Sequence, residues 1–89
     1  MAKSLRSPRQ RQLLELLVKT RQSRGLTQAA LATKLGKPQS FVAKVENGER
    51  RLDVIEFIDM ALAMKVRPVD MISRLESAPA SKRKVPKES

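Results

Sequence analysis

Read for apolar spacing, the chain divides into five short helical segments, and no stretch has the two-residue alternation of a half-buried strand. The first opens at Ser7 and Pro8, an N-cap followed by Pro at the first helical position. Its Leu13, Leu14, Leu17 and Val18 form one apolar stripe that should end before Gly25. A second segment starts with Thr27 as N-cap, with Leu26 and Leu31 spaced as a hydrophobic staple, and stops at Gly36. The third runs from Pro38 to about Glu46, and the Asn47 and Gly48 that follow suit the left-handed conformation that ends helices. Asp53 and Glu56 have capping-box spacing and Leu52 and Phe57 staple spacing, so a fourth helix is predicted from Val54 to about Met64. A fifth opens at Pro68 and carries Val69, Met71, Ile72 and Leu75.

Helices this short are marginal alone and hold only by packing together. The expected core is Leu13, Leu17, Leu26, Leu31, Leu35, Val42, Val45, Leu52, Val54, Phe57, Ile58, Ala61, Leu62 and Ile72, giving a compact all-α bundle over residues 1–76. From 77 to 89 the chain turns to Ser, Ala, Pro and Lys and reads as a disordered basic tail.

Composition narrows the function. At 89 residues the chain makes one small domain, and it has no Cys, His, Trp or Tyr. Disulfides and a thiolate metal site are therefore excluded, and the commonest general base and the Cys and His nucleophiles are missing, which argues against an enzyme and implies no cofactor. No apolar run approaches the roughly 18 residues that span a bilayer, and the start lacks a secretory stretch, so a soluble, cytoplasmic protein is expected.

The net charge of +10 is unevenly placed. Residues 1–52 carry twelve Lys and Arg against Glu15, Glu46 and Glu49, whereas 53–76 carry Lys65, Arg67 and Arg74 against Asp53, Glu56, Asp59, Asp70 and Glu76. A basic half of this kind is either a solvated surface or a face made for a polyanion.

The stretch "KPQSFVAKVENGERR" bears on that choice. On a helical wheel Val42 and Val45 define the buried side of the third helix, and Ser40 and Lys44 point away from it, with Phe41 and Ala43 on the flanks. Gln39 lies nearer the core but in the first turn, where a side chain projects past the helix end. Such a face suits the DNA major groove: Gln pairs with adenine, Lys donates to guanine, and Ser is versatile. Phe41 has two readings, a partly buried core ring or an apolar contact to a thymine methyl or a sugar. Glu46 turns inward, where an unpaired carboxylate is costly, and Arg21 near the end of the first helix is its candidate partner. Gln28, just inside the second helix, and Asn47, the Gly48 backbone, Arg50 and Arg51 after the third are placed as phosphate contacts on either side of the reading face.

With these residues in register, "GLTQAALATKLGKPQSFVAKVENGERRLD" closely resembles the Cro and phage-repressor type of helix-turn-helix, the XRE family. The resemblance covers roughly residues 10–75. It implies a lambda-repressor-like domain of five helices, in which the second and third form the helix-turn-helix and the third lies in the major groove of double-stranded DNA. It further implies a homodimer on a two-fold operator, Gln39, Ser40 and Lys44 at the bases, Gln28 at phosphate, and Asn47 to Arg51 along the backbone. Three positions depart from the pattern: Ala30 lacks the carboxylate of a capping box, Lys37 stands where Ser or Thr would cap the third helix while adding charge near phosphate, and Arg67 is a poor cap for the fifth.

The leading expectation is a sequence-specific transcriptional regulator, a prokaryotic or phage repressor. An antitoxin with a toxin partner or a restriction-modification controller comes next, and a protein-interaction module without DNA readout is the alternative of another class. Acids at Gln39, Ser40 or Lys44 would favour that module, and none is present. For dimerisation the candidates are Met60, Met64, Val66, Met71 and Leu75, which exceed what a small core needs, unless the Met side chains serve as core gap-fillers.

Overall fold

Three of the five described helices open on side-chain caps. In a computed structural model, which describes residues 7–77, the chain forms α1 (Pro8–Ser23), α2 (Gln28–Leu35), α3 (Gln39–Glu46), α4 (Val54–Ala63) and α5 (Pro68–Ser77). The tail from 78 onward lies outside the described residues. Ser7 Oγ accepts from Gln10 N at 3.0 Å and Thr27 Oγ1 from Ala30 N at 3.0 Å, each satisfying a helix-end donor that would otherwise lack a partner. Asp53 and Glu56 make both halves of a capping box, Glu56 N to Asp53 Oδ1 at 2.7 Å and Asp53 N to Glu56 Oε1 at 3.0 Å.

α3 starts one residue later than predicted. Pro38 is its N-cap, with ψ of 155°, and supplies no side-chain bond, so the cap position passes over Lys37. At its other end Asn47 stays right-handed, with φ of −84°, and Gly48 alone takes the left-handed conformation, with φ of 81°. α4 also ends in a left-handed turn, but the residue there is Lys65, with φ of 63°.

The helix-turn-helix pair α2 and α3 pack on each other, backed by α4 and α1 respectively, and α5 closes the bundle against α4 and α1. Leu17, Leu31, Val42, Val45, Phe57 and Ala61 are buried as the spacing predicts. Leu13, Leu26, Leu35, Leu52 and Ile58 pack half-buried against them.

Three expected core residues are on the surface instead: Val54 is 71% exposed, Leu62 58% and Ile72 48%. Their places are taken by Met60, Met64 and Met71, each 1% exposed, with Ala32. α4 is apolar nearly all round, so its periodicity fits more than one stripe. The stripe that faces inward runs Phe57, Met60, Ala61, Met64, which leaves Leu62 and Ile55 on the opposite side. Unbranched Met side chains fill this irregular interior. Met60, Met64 and Met71 are therefore core residues and cannot form a dimer face, while Val66 and Leu75 are half-buried. The exposed apolar positions on these helices are Val54, Ile55 and Leu62 of α4 and Val69 and Ile72 of α5.

Candidate nucleic-acid interface

The surface of α3 is organised from beneath by one ion pair. Arg21 Nε donates to Glu46 Oε2 at 2.7 Å and Nη2 to Oε1 at 3.0 Å, and the remaining Nη1 donates to Leu26 O at 2.9 Å. Both side chains are largely covered, 11% and 5% exposed. The fork thus ties the end of α1, the turn before α2 and the last turn of α3 to one point. A carboxylate this enclosed needs several donors, and Gln28 supplies another, Nε2 to Glu46 Oε1 at 2.9 Å.

That contact has a directional consequence. Both Glu46 oxygens accept from Arg21, and the Gln28 amide turns its nitrogen inward to Oε1 and its oxygen outward. Gln39 Nε2 then donates to Gln28 Oε1 at 3.3 Å. A relay runs from the covered pair to the first side chain of the outward face, and it orients the exposed Gln39 amide with its own oxygen and second N–H left over. These two groups match the N6 and N7 edge of adenine. Gln28, expected only at phosphate, is thereby also the link that sets Gln39.

Gln39, Ser40 and Lys44 are all exposed, and Phe41 is half-buried with its ring against the core. The ring carries two cations, Lys37 Nζ at 5.2 Å and the Arg50 guanidinium at 4.8 Å from its centroid. Phe41 is thus a partly buried core ring, as one of its two readings has it, and also a seat for basic residues.

The loop after α3 differs from expectation in two ways. Gly48 is buried and its N–H donates to Val45 O at 3.1 Å, so the donor expected to meet a phosphate closes the helix instead. Asn47 N and Glu49 N are likewise bonded, to Ala43 O at 2.9 Å and Lys44 O at 2.8 Å. The Asn47 and Arg51 side chains are exposed beside this loop. Arg50, expected as a phosphate ligand, is held by Glu56: its Nη1 and Nη2 each donate to a different carboxylate oxygen at 2.8 Å. The Arg50 hydrogen bonds, followed by that from Asp53 N, hold the Glu56 carboxyl down at about 2.

Glu56 was legible in the sequence only as half of a capping box. Its second task, gripping Arg50 across the loop, has no spacing rule to reveal it. The seating of Lys37 on Phe41 did have a signal, an i,i+4 cation and aromatic across the start of α3. Among the described residues no group of His, Cys, Asp or Glu is arranged to hold a metal, and no helix is long and apolar enough to cross a membrane.

Comparison with known proteins adds to this geometry. Residues 17–71 match a family model described as helix-turn-helix. A solved structure described as an XRE-family like protein from Pseudomonas syringae pv. tomato str. DC3000 is 48% identical and superposes with a TM-score of 0.78, covering 84% of this chain and 92% of that one. No curated protein matches.

Proposed function

The chain belongs to the XRE family of helix-turn-helix proteins and is a DNA-binding transcriptional regulator; from that premise we propose that it is a repressor that binds a two-fold operator as a homodimer. α3 enters the major groove, Gln39, Ser40 and Lys44 meet base edges, and Phe41 offers its outer edge to a thymine methyl. Gln28, Lys37, Asn47 and Arg51 lie along phosphate, with Arg50 joining them when Glu56 releases it. The observation that carries the reading is the relay Arg21–Glu46–Gln28–Gln39, because it fixes an exposed amide by way of a covered ion pair. A solvated helix face needs no such support.

Three or four reading side chains specify few base pairs, so discrimination calls for two copies, with half-sites about 34 Å or 10 base pairs apart. The exposed Val54, Ile55, Leu62, Val69 and Ile72 support a contact between copies through α4 and α5. The same apolar positions are what a toxin would use if the chain were an antitoxin.

The test is binding to a selected duplex and to random duplex at one stated salt. Lys44→Ala should cost about 1–3 kcal/mol on the selected site and relax preference there. Equal loss on both duplexes would move Lys44 to the phosphate contacts, and equal affinity of the parent for both duplexes would overturn sequence-specific readout.

A further inference from the structure

Glu56 is an acid set within the basic rim of the α3 face. It holds both terminal nitrogens of Arg50, and Lys37 adds to the positive field around it. Arg50 is at the same time stacked on Phe41 and donates from Nη1 to Arg51 O at 2.7 Å, so one guanidinium joins the reading helix, the following loop and the start of α4. The cluster is not interior. The Arg50 side chain is 42% exposed and that of Glu56 19%, so water and salt screen their attraction and leave it open to exchange.

A phosphodiester offers a guanidinium the same two-oxygen edge as a carboxylate. We propose that Glu56 is an internal stand-in for a DNA phosphate: it keeps Arg50 stacked on Phe41 in the free protein and yields it to the backbone beside α3 when DNA is bound. The inference rests on the DNA-facing reading of α3. Arg50 stays ordered on Phe41 through the exchange, so it reaches phosphate with little loss of rotamer freedom. The transfer also uncovers a carboxylate next to DNA, which opposes binding to any sequence. Glu56 thus acts as a brake on sequence-independent affinity, leaving discrimination to Gln39, Ser40 and Lys44. A carboxyl is ionised at neutral pH with or without Arg50 on it, so the brake stays charged through the exchange.

The fold tolerates the decisive change, because Gln serves as well as Glu in the third position of a capping box. The full chain, E56Q, R50A and the double variant would be titrated with a duplex selected from random DNA by the parent and with a scrambled duplex, from about 50 to 200 mM salt. E56Q should bind both duplexes severalfold more tightly, by a similar factor, with a log–log salt slope steeper by up to about 0.9, because in the parent the uncovered carboxylate offsets the phosphate that Arg50 neutralises. The gain should shrink in the double variant, which keeps only the relief of repulsion between the uncovered carboxylate and phosphate. Unchanged affinity and slope for E56Q would overturn the exchange, as would weaker binding at unchanged melting temperature, which would make the pair a brace for Phe41. A gain that survives R50A undiminished would show that Glu56 merely repels phosphate. Failure of the parent to bind any duplex would instead remove the DNA-facing reading itself, and the inference with it.

Discussion

Arg21 and Glu46 show how much one pair of side chains sets in this molecule. Their contact joins three segments and, through Gln28, orients Gln39. Removing either partner leaves the other covered and unpaired, so Arg21→Ala or Glu46→Ala should destabilise by about 3–5 kcal/mol in urea unfolding. Midpoints equal to the parent's would show that the pair carries no stability. This pair was legible in the sequence because an inward acid must find a cation and few were in reach. The Gln28 relay was not legible, since it depends on side-chain directions rather than on spacing.

Glu56 gives the acid response. Its carboxyl drops from an ordinary 4.5 to about 2 in the fold, chiefly through Arg50 and then Asp53 N. A depressed carboxyl stabilises the fold above its unfolded value, and that contribution is lost as pH falls from about 4.5 to about 2. The melting temperature of the parent should therefore fall more steeply across this window than that of Glu56→Gln, which has no such proton to take up. Parallel curves would contradict the assignment.

At the scale of elements, the punctuation was more legible than the faces. Ser7, Thr27 and Asp53 cap α1, α2 and α4 as their chemistry requires, and Gly25 and Gly36 take left-handed turns, with φ of 71° and 70°. The faces of α4 and α5 were misread because both helices carry apolar residues on two sides, and choosing between stripes needs the partner helix. Lys65 is a case the sequence conceals, since a Lys at a left-handed helix end has no distinguishing neighbours. It adopts φ of 63° while Val66 N closes the helix on Ala61 O at 2.9 Å. Such a conformation costs an L-residue about 1–2 kcal/mol, of which Gly gives back part in lost chain entropy. Lys65→Gly should therefore stabilise the domain by up to about 1 kcal/mol in thermal or urea unfolding. A destabilised variant would mean that the Lys65 side chain makes a contact worth more than the strain.

The molecule as a whole combines a basic side around α3 with exposed apolar residues on α4 and α5. The apolar residues were foreseen in kind but not in identity: the Met side chains fill the interior, and Ile55, Leu62, Val69 and Ile72 face outward. If this side joins two copies, Leu62→Asp or Ile72→Asp should shift the protein from dimer to monomer in sedimentation equilibrium and weaken operator binding, with melting of the monomer nearly unchanged because both positions are exposed. A parent that sediments only as monomer, with and without DNA, would redirect the face to a different protein partner.

Whether the outward face of α3 reads base sequence in two copies is tested most directly by selection of bound fragments from random-sequence DNA. An enriched two-fold repeat with half-sites centred about 10 base pairs apart is expected. Recovered fragments with no shared sequence would contradict it.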